Sequence, residues 1–313
     1  MGQADNVKKI GAARFSVGAA LGLAVLKLTT GFLLHSLGMI SAGVDSLMDL
    51  IASGINYFSM KQAIKPADRE HPYGHGKIEN IASLFQAGII GLAGLLLMGE
   101  GIRRMLLVEA VPVFDVGIFV MALSGVISYL VGRRLARFAR MTDSPLLAAD
   151  ALHFTIDTWT NTGVVLALLL SRWSGKIFFD RAAAILIGGW ILYAALKLFR
   201  NALAALMDQN ISPEMEEKID RIILDHCEEI IGYHRMRTRR SGSKKMIDLH
   251  LVICKDITLD EAHGITEELE KKIEEDINNS DVMIHIEPCD MECPRIREQC
   301  LYKTEPSSPA DGS

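Results

Sequence analysis

The sequence predicts an α-helical membrane protein with six transmembrane helices, followed by a small cytosolic α+β domain of αββαβ order. Three observations carry this. Half of the 313 residues are apolar and the mean hydropathy is +0.23, too apolar for an ordinary soluble domain. The apolar residues concentrate before about Leu206, in stretches long enough to cross a bilayer. Beyond that point the chain turns polar, and strand-like alternation stands between helical patterns. The expected division is 1–208 for the membrane domain, 209–290 for the αββαβ domain and 291–313 for a Cys-containing, partly disordered tail.

At about 20 residues per crossing, the spans run from Phe15 to Leu34, Leu37 to Met60, Ile81 to Gly99, Val111 to Val131, Leu146 to Leu170 and Ile177 to Phe199. The link around Ser36, Leu37 and Gly38 is so short that the first two spans form an antiparallel hairpin, since lipid offers no partners to a looser backbone. Lys8, Lys9 and Arg14 precede the first span, Lys61, Lys65, Arg69 and Lys77 follow the second, and Arg133, Arg134, Arg137 and Arg140 follow the fourth. The alternate connections hold only His35, then Arg103 and Arg104, then Arg172 and Lys176. The richer set belongs on the cytoplasmic side, so both termini are expected in the cytosol. No small-residue cleavage site closes a short apolar core near the N-terminus, and the first span reads as retained.

The net charge is −5, and the basic residues stand at span ends instead of in a run. Nucleic acid is therefore excluded as a partner. Cys227, Cys254, Cys289, Cys293 and Cys300 all fall in the polar part. An odd number without secreted-domain spacing fits a reducing compartment better than a disulfide framework.

The chemistry lies in polar residues that lipid should not contain. Asp45 and Asp49 are one turn apart on one face of the second span, and Ser53 and Asn56 extend the stripe. In the fifth span Asp150, His153, Asp157 and Asn161 again share one face. A carboxylate at a bilayer centre costs at least about 2.5 kcal/mol by insertion scales. Lys27 in the first span cannot neutralise Asp45, Asp49 and Asp157 together, and its long stem lets it snorkel. A divalent cation can. Three carboxylates with one imidazole, from Asp45, Asp49, His153 and Asp157, suit Zn2+ in tetrahedral coordination, with Cd2+ or Fe2+ as close competitors and Mn2+ not excluded. Ca2+ and Mg2+ prefer more oxygens and no histidine. The alternative for these four residues is a polar packing network without an ion; Asp150, Ser53, Asn56 and Asn161 read as pathway or packing polar groups.

Between the second and third spans stands Asp68-Arg69-Glu70-His71-Pro72-Tyr73-Gly74-His75-Gly76-Lys77-Ile78-Glu79. Two imidazoles among carboxylates in a short loop point to a second metal site. The Asp45/Asp49 pair, the His-Pro-Tyr-Gly-His-Gly-Lys loop and the His153/Asp157 pair, in that order on six spans and ahead of a small soluble domain, resemble the cation diffusion facilitator family. The resemblance runs from about Lys9 to Pro288. It implies a six-helix bundle working as a homodimer, a transport site at Asp45, Asp49, His153 and Asp157, and a loop site at Asp68, His71 and His75. It also marks Lys77 and Asp208 as positions of a charge interlock between membrane and cytosolic domains, against two unrelated surface charges.

After Asp208, Ser212-Pro213-Glu214 opens a helix with Met215, Ile219, Ile222 and Ile223 on one face. Ile231 to Arg239 and Lys245 to Cys254 alternate as strands. Thr258 and Glu261 make a capping box for a second helix with a stripe of Ala262, Ile265, Leu269 and Ile273, and Asp281 to Glu287 is a third strand. Ile247, Leu249, Leu251 and Ile253 should face the helices while Asp248 and His250 face away; on the third strand Val282, Ile284 and Ile286 oppose His285 and Glu287. With His234 and His263, the group His234, His250, His263, His285 and Glu287 forms a candidate cytosolic metal cluster able to tie two subunits together. His35 and His226 have no partner at useful spacing. Cys289, Cys293 and Cys300 lack zinc-knuckle spacing and read as free thiols, with a soft-metal site as the alternative.

The expected reaction is export of a divalent metal, Zn2+ first, by alternating access, with protons exchanged at the same ligands. The expected setting is the inner membrane of a bacterium, and the remaining partners are the lipid bilayer, the metal and protons. Two other classes remain open. One is a membrane-anchored metal sensor or scaffold without transport. The other, an intramembrane enzyme, is disfavoured because protein ligands fill the set and leave no open position.

Overall fold

A computed structural model describes residues 2–35, 37–106, 115–174, 178–225 and 230–289. His226, Cys227, Cys293, Cys300, the span starts at Val111 and Ile177, and the terminal segment lie outside the described residues. Two compact units emerge, one over Gly2–Met207 and one from Asp208 onward.

The first unit contains α1 (Gly2–Leu33), α2 (Leu37–Ala63), α3 (Lys77–Leu106), α4 (Asp115–Thr142), α5 (Pro145–Ser174) and α6 (Phe178–Leu206). Six helices were expected and six stand among the described residues, but they are longer than the apolar stretches. α1 starts well before Phe15 and α4 continues past Val131, because a helix can extend beyond the hydrocarbon while hydropathy marks only the part inside it. Among the described residues, four helices are long and apolar enough to cross a membrane on composition alone, over Asp5–Leu33, Lys77–Arg103, Gly117–Thr142 and Ala182–Leu206. α2 and α5 fall short because they carry the two polar stripes.

α1 packs on α2, α4 on α5 and α3 on α6, and α5 also touches α3 and α6. His35 adopts a left-handed conformation with φ 48° just beyond α1, part of the tight reversal into α2. The α3–α6 pair approaches through glycine: a Cβ on Gly188 would stand 2.8 Å from the Gly94 carbonyl oxygen, nearer than side chains are tolerated. Leu23, Met60, Leu135, Leu147 and Phe154 form a core joining α1, α2, α4 and α5. Phe58, Phe85, Leu96, Phe119 and Leu186 point outward, as expected where lipid replaces water.

The second unit contains α7 (Pro213–Asp225), β1 (Ile230–Ser241), β2 (Lys244–Ile253), α8 (Leu259–Asp276) and β3 (Ser280–Pro288). The sheet order is β1-β2-β3, antiparallel for the first pair and parallel for the second. α8 supplies the crossover that a parallel pair requires, and it opens on the Thr258/Glu261 capping box. Ile219, Ile222, Ile223, Ile247, Leu249, Leu251, Leu269 and Ile273 close one core between helices and sheet. The opposite face of β2 presents Asp248 and His250.

Candidate metal centres

In the membrane unit, α2 brings Asp49 against His153 and Asp157 of α5. His153 Nε2 lies 3.0 Å from Asp49 Oδ1 and 3.8 Å from Asp157 Oδ2. One ligand atom from each residue falls within 4.8 Å of the others. The buried Nε2 makes no aligned hydrogen bond despite its short distance to Asp49, an arrangement a cation could complete. Asp45 does not join these three. It is exposed, one turn before Asp49 on α2, and outside the group whose ligand atoms converge. Lys27 is buried, 8 % exposed, instead of snorkelling, and its charge acts on Asp45 and Asp157.

Below this cluster the stripes continue as a hydrogen-bonded network. Asn56 Nδ2 donates to Gln86 Oε1 at 2.9 Å and to Asp150 Oδ1 at 3.2 Å, and Ser16 donates to Ser53 at 3.2 Å. Asp150 is thus a fully buried carboxylate tying α5 to α2. A second buried group went unread in the sequence: Lys9 Nζ lies 2.7 Å from Glu79 Oε1, with side chains 4 % and 2 % exposed, and Ser144 Oγ donates to Glu79 Oε2 at 2.5 Å. Lys9 looks in sequence like one more interfacial cation, and nothing in its spacing signals a partner on α3.

The loop gathers Asp68, His71 and His75. Asp68 Oδ1 accepts the backbone N–H groups of His71 at 2.7 Å and Glu70 at 3.0 Å, while its oxygens stand 3.4 Å from His71 Nδ1 and 3.4 Å from His75 Nε2. The His71 backbone donor holds the Asp68 carboxyl below the usual range against partial desolvation, with the Glu70 donor and the His75 charge adding to the effect. Gly74, at φ +80°, makes the turn that sets the two rings 4.5 Å apart.

In the C-terminal unit Glu287 bridges two imidazoles, 2.9 Å from His234 Nε2 and 2.6 Å from His250 Nδ1. His250 stands opposite His234 in one pair and His285 in the other, and the His250 and His285 rings lie 4.8 Å apart. Hydrogen bonding from His250 holds the Glu287 carboxyl below its usual range against desolvation, with His234 contributing further. His263 does not belong to this group within the chain: α8 packs on the Leu249 face of the sheet, opposite the imidazoles. The free thiols among the described residues are Cys254 and the buried Cys289, whose N–H donates to the Ile253 carbonyl. Asp208 lies 3.7 Å from Arg239.

Comparison with known proteins matches residues 13–207 to the cation efflux transmembrane domain and 211–289 to the cytoplasmic domain of cation efflux proteins, a dimer domain by its designation. The cation-efflux pump FieF of Pectobacterium atrosepticum is 33 % identical over 277 residues, 88 % of this chain and 92 % of the relative. FieF of Cronobacter sakazakii is 34 % identical over 276 residues, covering 88 % and 91 %. The solved metal-bound C-terminal domain of the CzcD transporter from Thermotoga maritima is 26 % identical over 25 % of this chain and 92 % of that one, at a TM-score of 0.24, too loose a match to bear on the fold. Two domain matches in succession and relatives aligned over most of both chains account for the polar stripes in α2 and α5: the chain belongs to the cation efflux family, whose members are multi-pass carriers of divalent metal and not enzymes.

Proposed function

We propose that this protein exports Zn2+, with Cd2+, Fe2+ or Mn2+ as competing substrates, in exchange for protons. The reading rests on the meeting of Asp49, His153 and Asp157 within 4.8 Å between two helices. A soft-tolerant imidazole with carboxylates favours Zn2+ and Cd2+ over Mn2+. The same nitrogen that binds metal binds a proton, so a proton arriving from outside displaces the ion and an ion arriving from the cytosol displaces the proton. Asp45 completes the four-ligand set when the α2 face turns inward, one half of an alternating-access cycle.

Asp68, His71 and His75 form an accessory loop site. His234, His250, His285 and Glu287, joined by His263 of a second subunit, form a cytosolic site at which Zn2+ acts as a structural or regulatory ligand of a homodimer. The protein then resides in a bacterial inner membrane with both termini in the cytoplasm, as the distribution of basic residues favours.

Zinc uptake into sealed proteoliposomes with an imposed pH gradient tests this, comparing the wild type with Asp49→Ala and His153→Ala. Zinc flux that dissipates the gradient and is lost in both variants is expected. Flux without proton movement overturns the exchange, and no flux of zinc, cadmium, iron or manganese by folded wild type turns the protein into a metal sensor.

A further inference from the structure

We propose that the exposed face of α4 binds an anionic phospholipid, its phosphodiester held by Arg133, Arg134 and Arg137 and its acyl chains laid along Leu130, Val126 and Leu123. These positions recur at three- and four-residue steps and so form one stripe on the helix. Val126 and Leu130 are 57 % and 60 % exposed, and the three arginines are exposed as well. Between Leu130 and Arg133 the stripe changes from apolar to basic within one turn, as a helix face does where it leaves hydrocarbon for headgroups.

A general bias of basic residues toward one side of the membrane would leave these side chains spread through water. Here they line a single cavity of about 430 Å³ together with Leu130 and Phe138, a volume on the scale of a ligand pocket. The Arg134 guanidinium lies 4.7 Å above the Phe15 ring of α1 and 5.9 Å from the Phe138 ring. Stacking holds the group in place through its face and leaves the in-plane donors unused. Among the described residues Arg133 Nη1 approaches a hydroxyl, Tyr129 Oη at 3.4 Å, and no carboxylate.

Among the described residues no carboxylate lies within ion-pair distance of these three side chains. Arg103, by contrast, forks onto Glu100 at 2.8 and 2.9 Å. Three uncompensated guanidinium groups around one cavity match a phosphodiester, whose oxygens accept bidentate donors. A zwitterionic headgroup carries its own ammonium into that field, and a free phosphate leaves the apolar stripe uncovered, so an anionic phospholipid is the occupant.

Native mass spectrometry of the full chain in detergent tests this with cardiolipin, phosphatidylglycerol, phosphatidylcholine and inorganic phosphate as separate probes. The wild type is expected to retain the two anionic lipids and to release phosphatidylcholine. The triple variant Arg133→Gln/Arg134→Gln/Arg137→Gln should bind cardiolipin roughly a hundredfold more weakly, while Arg103→Gln binds as the wild type does. Should the triple variant not fold, Arg134→Gln alone is read in the same assay, with an expected loss of about fivefold. Equal retention of phosphatidylcholine, unaltered cardiolipin binding in the arginine variants, or displacement of lipid by millimolar inorganic phosphate overturns the proposal.

Discussion

Asp49 Oδ1 of α2 stands 3.0 Å from His153 Nε2 of α5, although these two helices otherwise touch sparsely. Their meeting is thus specified by polar side chains, in a region where apolar packing would have sufficed to hold a bundle. Asp49→Asn is expected to lower Zn2+ affinity at the membrane site by at least about a hundredfold, beyond what losing an outer-shell partner costs. Asp45→Asn should cost less, about tenfold, because Asp45 is exposed and outside the three-residue cluster in this state and joins the set only in the other half of the proposed cycle. Calorimetric titration of both variants, with the loop and C-terminal histidines replaced, decides this; equal losses would place Asp45 on the same footing as Asp49.

A related substitution addresses selectivity. His153→Asp converts the set to oxygens alone, which suits harder cations. Competition between Zn2+ and Mn2+ during proteoliposome uptake should shift toward Mn2+, and an unchanged ratio would mean that selectivity lies outside this triad.

The helices were legible because apolar stretches of bilayer length leave few alternatives, and the polar stripes because charge in lipid demands a reason. What the sequence could not supply was distance. A shared face placed Asp45 beside Asp49, but the crossing of α2 and α5 decides which carboxylate reaches His153. His263 stands apart from the imidazoles within the chain because α8 covers the Leu249 face of the sheet, as the strand alternation itself implied for any residue of that helix. His234 stands opposite His250 next to a register shift between His234 and Arg237, where Arg235 takes φ 51°; simple alternation does not foresee that irregularity. Lys9 and Glu79 were hidden for another reason, since each looks ordinary at the end of its own helix.

The loop cluster depends on backbone shape as much as on ligands. At φ +80° Gly74 occupies a region that a side chain makes strained by about 1–2 kcal/mol. Gly74→Ala should therefore weaken Zn2+ binding at Asp68, His71 and His75 by about tenfold while leaving the membrane site intact. Zn2+ titration of Gly74→Ala in a background of Asp49→Ala with His234→Ala and His250→Ala reads the loop apart from the other two clusters, and wild-type affinity there would show that the turn is dispensable.

Acid should loosen the C-terminal sheet. The Glu287 carboxyl is held below its ordinary range chiefly by the hydrogen bond from His250. A carboxylate with a lowered folded-state value adds stability above its ordinary range, and that contribution disappears as pH falls through the lowered value. Protection factors for hydrogen exchange along β2 and β3 are therefore expected to fall as the pH drops below the ordinary carboxylate range, with a shallower fall in Glu287→Gln. Identical pH profiles for the two proteins would remove Glu287 from the acid response.

The Lys9–Glu79 pair, 4 % and 2 % exposed at 2.7 Å, joins the start of α1 to the start of α3, and Ser144 of the α4–α5 turn donates to the same carboxylate. Both side chains are buried, so removing either charge takes from the other its partner at 2.7 Å in a place where water cannot substitute for it. Glu79→Gln alone is expected to cost about 3–5 kcal/mol of stability. Lys9→Met with Glu79→Gln removes both charges, and the double variant should be more stable than the sum of the single changes by about 1–3 kcal/mol. Denaturant unfolding of the detergent-solubilised wild type, two single variants and the double variant closes the cycle. A coupling near zero would mean that each charge is compensated by other neighbours, so that the pair does not fix α3 against α1.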